Sequence, residues 1–437
     1  MAYLSNLLFA TILLIGFGFF VINVRKLTRN IKLGKDVDRS DRQSERWKNM
    51  IRIALGQSKM VSRPFAGFLH IIVYVGFIII NIELLEIIID GLFGTHRVFA
   101  PILGESVYGF LIGTFEILAF LVLVSVIFFW TRRNLVQLKR FMSKEMNGWP
   151  KKDGNLILYF EIILMSLFIL MNATDHPFQE VGVGNPISQI VAPWFSSFSI
   201  ETLHTIEQFA WWTHIIGILI FLNYLYYSKH LHILLAFPNT FYANLNPKGQ
   251  FKNLASVTKE VKMMMDPTID PYAMPEEGEE EEVPEKFGAS DVTDLNWVQL
   301  LNAYTCTECG RCTSSCPANL TGKELSPRAI MMKTRDRLEE VGKNIDKNKG
   351  TFKDDGKQLL NDYITPEELW ACTSCNACVE ECPIDIDPLS IIMDMRRYLV
   401  MEQSAAPQEL NMMMTNIENN GAPWQYNQQD RLNWKDE

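Results

Sequence analysis

Cysteine is absent from the first 305 residues and from everything after residue 382, so no thiol is left over for a stray disulfide. Positive charge is nearly absent from two loops, 90–106 and 174–208, which hold one Lys or Arg between them, Arg97. There is no Walker loop, no GxGxxG fingerprint and no defensible nucleophile motif, which leaves nothing on which to build a nucleotide cradle or an acyl-transfer site. With a net charge of −9, the chain has no nucleic-acid footprint. No internal repeat occurs beyond the paired cysteine motifs described below.

What is there divides into two unlike halves. The 437 residues have room for two or three domains, and a mean hydropathy of +0.03 averages over a strong contrast. Up to about Tyr227 the chain is dominated by long apolar runs. Beyond about Asn239 it is polar, acidic and cysteine-bearing. A membrane span needs about 20 mostly apolar residues. Five segments qualify: 4–24, 65–89, 107–130, 156–173 and 209–227. The first lacks a basic leader and an A-x-A cleavage site, and Arg25 and Lys26 follow it, so it reads as a retained helix. Residues 25–63 hold 12 Lys and Arg and 132–152 hold seven, against one in the two opposite loops. The positive-inside rule then puts the N-terminus outside the inner membrane and everything after Tyr227 in the cytoplasm. Cysteines spaced for metal suit that reducing compartment.

The cysteines read Cys306-x2-Cys309-x2-Cys312-x3-Cys316-Pro317 and Cys372-x2-Cys375-x2-Cys378-x3-Cys382-Pro383. Thiolates at this spacing grip three corners of an iron–sulfur cube, and the fourth ligand comes from the opposite motif. One [4Fe–4S] cluster is therefore expected on Cys306, Cys309, Cys312 and Cys382, and a second on Cys372, Cys375, Cys378 and Cys316. A zinc site would need two CxxC pairs, not four cysteines ending in Cys-Pro twice over.

About 55 residues separate the motifs, too many for a compact two-hairpin ferredoxin. The insert reads as helix. Ser326-Pro327 opens one that Gly342 closes, and the capping box from Thr365 to Glu368 leads into Trp370. Asp387-Pro388 starts another to about Glu402, and residues 294–304 form one before the first motif. Residues 290–400 resemble the α-helical ferredoxin module of fumarate reductase iron–sulfur subunits. They are more similar still to the small iron–sulfur subunit of heterodisulfide reductases.

Within the membrane part, ligating side chains default to a functional reading. His70 lies about 7 Å into the second span, and His232 sits just past the same end of the fifth, whose helix is expected to continue to Ala236. Two imidazoles at one level on different helices suit bis-histidine ligation of haem b. His214 and His232 are 18 residues apart, five helical turns, and share a face. His230, with Lys229 beside it, is expected to be exposed at the interface. His176 and His204 lie near the outer surface, and His96 reads as a loop residue. Glu116, roughly 21 Å from the inner end of the third span, is expected to relay protons for a quinone, to partner His214, or to be a protonated acid hydrogen-bonded within the bundle. Together with His214, His176 and His204 it is a candidate for a second haem or quinone site. Glu83 and Glu86, at the outer interface, and Glu161, near the inner one, carry little information.

Five spans, an outside N-terminus and His-x17-His in the last span resemble the cytochrome b (gamma) subunit of respiratory nitrate reductase and the anchors of heterodisulfide reductases. In that family two histidines ten residues apart in the second span pair with two in the fifth. Here His70 matches the inner one, but the position ten further on is Ile80.

The expected fold is all-α. A five-helix cytochrome b bundle (1–238) and an acidic, proline-containing linker (239–289) precede the ferredoxin domain (290–403) and a tail (404–437). The expected function is electron transfer in the respiratory chain, linking membrane quinone, haem b and two [4Fe–4S] clusters. The resemblance implies a catalytic partner in the cytoplasm bearing the cysteine-rich heterodisulfide reductase repeats, since all eight cysteines here are committed. The alternative is a haem-free, membrane-tethered ferredoxin used for docking or redox sensing. A transporter is disfavoured, because five spans give no inverted repeat.

Overall fold

The computed structural model describes residues 3–268 and 286–436. The acidic run 276–282 and its prolines Pro271, Pro275 and Pro284 lie outside the described residues. Among the described residues the chain forms helices and no strand.

Five helices are long and apolar enough to cross a membrane: Leu4–Ile31, Pro64–Phe93, Glu105–Asn134, Trp149–Thr174 and Ile200–Tyr227. Each extends a few residues beyond its apolar run, because polar helix formers continue the backbone pattern past the hydrocarbon-length segment. The third span packs between the second and fourth, the fourth against the fifth, and the fifth against the first. Phe115, Phe168 and Ile112 fill the centre of the bundle. The outward faces stay apolar, with Leu14 74 % and Phe110 77 % exposed, as a surface solvated by lipid requires.

The fifth span departs from expectation at both ends. Its helix begins at Ile200, nine residues early, because Ser199 caps it by accepting from the Thr202 N–H. It does not continue to Ala236. After a 3-10 turn at Leu225–Tyr227 the backbone becomes extended at Ser228 (φ −114°, ψ 147°), and a new helix runs His232–Phe241. Asp153 of the fourth span drives the break, accepting from the Lys229 N–H at 3.1 Å and from the Tyr224 hydroxyl. The turn count that put His214 and His232 on one helix face therefore does not apply.

The cysteine-bearing domain is built from Trp297–Thr305, Pro327–Lys347, Pro366–Trp370 and Pro388–Arg397, joined by the cysteine loops. The Thr365–Glu368 capping box forms as expected. The Pro327 helix runs through Gly342 rather than ending there. A glycine is needed because a Cβ would lie 2.5 Å from the Asn30 amide of the first span.

This domain sits directly on one end of the bundle. Asn30 donates to the Tyr304 hydroxyl at 2.8 Å, and Lys35 pairs its backbone with Leu295 and Trp297. The buried Arg328 reaches the Arg140 carbonyl at 2.7 Å and Glu145 at 2.7 Å, both in the connection between the third and fourth spans. Asn239, expected to open the linker, is fully buried and donates to the Ile384 carbonyl. One hydrophobic core runs from Leu27, Phe221 and Leu225 into Leu300, Ile330 and Ile391 without a break.

Candidate functional site

The two cysteine loops repeat one backbone pattern. Two residues after the first cysteine, and one after the second, the chain turns left-handed. These positions are Glu308 (φ 54°) and Gly310 (φ 71°) in one loop, and Ser374 (φ 57°) and Asn376 (φ 59°) in the other. Left-handed turns at these places curl the loop so that its N–H groups face the sulfurs. The Ser374 N–H donates to Cys372 Sγ at 3.4 Å and the Ile386 N–H to Cys382 Sγ at 3.3 Å.

The loops also interleave. Cys382 and Cys378, from the second motif, share a small cavity with Cys306, Cys309 and Cys312, and the Cys382 thiol feels those of Cys309 and Cys306. In the other direction, Cys316 is an electrostatic neighbour of both Cys372 and Cys378. Among the described residues no three His, Cys, Asp or Glu side chains converge closely enough for a single metal ion. Burial, reinforced by nearby carboxylates and sister thiols, pushes Cys306 up to about 11 and Cys378 to about 12. Thiols so buried need a multivalent cation to lose their protons.

His70 and His232 meet at the bundle end beneath this domain. Their ring centroids are 6.5 Å apart with an angle of 39° between planes. Metal–imidazole bonds of about 2 Å place the centroids of two axial rings about 6.4 Å apart, so the pair fits a bis-histidine haem iron. His232 Nδ1 lies 3.0 Å from the Lys229 carbonyl, which makes it the protonated nitrogen and leaves Nε2 free as a ligand. Burial lowers the pKa of His232 and favours the neutral ring that ligation needs. His70 Nδ1 is buried without a hydrogen-bond partner.

Lys229 and His230 are not exposed, contrary to the sequence expectation. The Lys229 side chain is 10 % exposed and forms an ion pair with Glu308, between Cys306 and Cys309, while Arg335 holds the same carboxylate at 2.8 Å. The His230 ring lies 5.5 Å from that of His232, with Nε2 4.0 Å from Glu161. The extended backbone at Ser228 turns both side chains inward, and Ser228 caps the turn by accepting from the His230 N–H. The sequence signal for this was a capping Ser directly after the last apolar run.

The remaining candidates do not assemble into one site. Glu116 accepts from Asn172 at 3.0 Å and from the N–H groups of Ile187 and Ser188 at 2.9 and 3.0 Å. It anchors the loop that enters the bundle from the far end. His214 packs its ring 6.2 Å from Phe168, with Nδ1 buried and unpartnered. His176 lies beside Glu180, and His204 beside Glu207 at 2.9 Å.

Sequence reasoning missed a cavity of about 270 Å3 at the far end, between the first, second and fifth spans. Glu83, Glu86, His96, Glu207, Trp211 and Trp212 line it. Glu86 accepts from the Phe99 N–H at 2.8 Å and the Tyr108 hydroxyl at 2.9 Å. Glu83 is 4 % exposed and has one carboxylate oxygen without a partner. Two acids three residues apart on one helix face were the available signal.

Residues 305–386 match the 4Fe-4S dicluster domain family. Over 99 % of its length the chain is 30 % identical to the probable iron-sulfur-binding oxidoreductase FadF of Bacillus subtilis, of which it covers 61 %. Over 96 % it is 25 % identical to the EtfAB:quinone oxidoreductase of Syntrophomonas wolfei, covering 57 %. A quarter of the chain is 32 % identical to one component of the ferredoxin/F(420)H(2)-dependent CoB-CoM heterodisulfide reductase of Methanosarcina acetivorans, covering 53 % of that component. The chain thus spans about three fifths of the length of the first two relatives. No solved structure matches it.

Proposed function

We propose that this chain, an oxidoreductase subunit related to membrane iron–sulfur oxidoreductases and to heterodisulfide reductase subunits, carries electrons between a membrane quinone and a cytoplasmic partner. The observation that carries the reading is the 6.5 Å spacing of His70 and His232 directly beneath two interleaved cysteine sets. His70 and His232 hold haem b. Cys306, Cys309, Cys312 and Cys382 hold one [4Fe–4S] cluster, and Cys372, Cys375, Cys378 and Cys316 hold the other. When bound, these groups supply one-electron transfer, which divides the two-electron chemistry of a quinone into single steps.

The protein's own work is to place them in sequence and keep water away. Cys306 and Cys382 are buried, whereas Cys375 is exposed and marks the face toward a partner protein that bears the substrate site. At the far end of the bundle the Glu83 cavity suits a quinone head group better than Glu116, whose oxygens are already occupied. The Trp211 and Trp212 indoles offer flat apolar walls, and the free Glu83 oxygen offers a proton acceptor for a quinol hydroxyl. From Glu83 to His70 is 13 residues of one helix, about 20 Å. His214 lies between those two depths, where a second haem would shorten the path.

A pyridine haemochrome spectrum with iron and acid-labile sulfide analysis tests the whole reading. About eight sulfides, about eight non-haem irons and at least one haem b per chain are expected. Clusters without haem would favour the tethered-ferredoxin alternative.

Two further results are expected. Glu83→Gln keeps a hydrogen-bonding group but removes the proton acceptor, so quinol-driven reduction should slow by about 100-fold or more with the haem spectrum unchanged. An unchanged rate in stopped-flow measurements would remove Glu83 from proton transfer. The 19-to-one loop charge asymmetry puts the cysteine domain inside, so a reporter active only in the periplasm, fused after residue 290, should be silent.

A further inference from the structure

Lys229 touches both halves of the molecule through different atoms. Its carbonyl orients His232 at 3.0 Å, and its N–H is held by Asp153 at 3.1 Å. Its ammonium reaches across the junction to Glu308 and also donates to the Pro150 carbonyl at 2.7 Å. Glu308 is 2 % exposed in its side chain, and its left-handed backbone forms the Cys306–Cys309 loop, with its N–H on the Cys306 sulfur. Arg335 holds the other oxygen of the same carboxylate at 2.8 Å.

Glu308 lies between two cations, and each cation has a further carboxylate of its own, Asp153 at 3.7 Å from the Lys229 ammonium and Asp336 at 3.5 Å from Arg335. Charges in such a setting are weakly screened and act strongly on anything that gains an electron nearby.

We propose that Lys229 is a positioning residue that couples the haem-ligating turn to the first cluster loop. Through its backbone it aims His232, and through its ammonium it fixes Glu308 and eases electron entry at the Cys306–Cys309–Cys312–Cys382 centre. The inference rests on the ligand assignments above and goes beyond them. Reduction adds one electron, hence one negative charge, to the cluster. Removing a neighbouring cation must then lower its midpoint potential, and removing the anion must raise it.

The experiment is an EPR-monitored redox titration of the full-length protein, with haem followed optically. Lys229→Gln is expected to lower the cluster-one midpoint and to alter the haem midpoint or its low-spin signal. Arg335→Gln should lower the cluster-one midpoint alone. Glu308→Gln should raise it, Lys229→Gln combined with Glu308→Gln should return it toward wild type, and Lys229→Arg should largely retain it. Variants with wild-type iron and haem contents and unmoved midpoints would overturn the coupling while leaving the ligands standing. A wild-type protein lacking haem or clusters would overturn the assignments themselves. Should Lys229→Gln fail to assemble, Arg335→Gln and Glu308→Gln still test the opposite signs.

Discussion

On the proposed ligation, replacing either His70 or His232 by alanine should yield a protein without haem b. The two rings come from the second span and from the start of the helix that follows the fifth, and among the described residues no other imidazole ring stands beside both. His230 is near, but its ring is perpendicular to that of His232 and its Nε2 faces Glu161. His230→Ala should therefore keep the haem, and His214→Ala should keep the one between His70 and His232. The reduced-minus-oxidised spectrum near the b-type α band reads this directly. The expected change is near-complete loss in the first two variants, with the iron–sulfur signals retained as evidence of folding. A full spectrum surviving loss of His70 would show that the pair is wrong.

Cluster damage should follow the crossing of the loops rather than their order in the chain. Cys382→Ser lies in the second motif, yet it should abolish the cluster shared with Cys306, Cys309 and Cys312. Cys316→Ser lies in the first motif, yet it should abolish the other. The basis is the cavity that Cys382 lines together with Cys306, Cys309 and Cys312, where Cys378 also stands, the neighbourhood of the Cys382 thiol to Cys309 and Cys306, and the proximity of Cys316 to Cys372 and Cys378. Each variant should lose about four of eight non-haem irons. EPR of the reduced protein should show one cubane signal remaining, whose identity differs between the two. Loss of the cluster belonging to the mutated residue's own motif would mean that the ligands do not cross. A [2Fe–2S] signal, or bound zinc, would refute the cubane assignment altogether.

Much of this was legible in sequence because the signals are local. Hydropathy over about 20 residues specifies a span, whatever it packs against. Two CxxCxxCxxxCP runs specify their chemistry through spacing alone. Caps are equally local, and Thr365 with Glu368 closes its box within one turn.

Failures came where local pattern met a distant partner. Counting turns from His214 to His232 assumed an unbroken helix, and Asp153, some 75 residues earlier, broke it at Ser228. Lys229 looked like an exposed interfacial cation, because the acid that buries it lies 79 residues further on, at Glu308. Glu116 looked free to serve His214, yet the backbone of Ile187 and Ser188 had claimed it.

Five spans, the direction their charges favour, the cysteine chemistry and two histidines at one level could all be read from the residues in order. Each is written in contiguous residues, or in spacings that helix geometry converts directly into depth. It took three-dimensional packing to seat the cysteine domain on the bundle through Asn30, Arg328 and Asn239, and to leave a Glu83 oxygen free in a cavity. Packing also joined His232 to the first cluster loop through Lys229. Those outcomes depend on which buried polar groups find partners across hundreds of residues, and burial makes such pairings obligatory without any short stretch of sequence recording them.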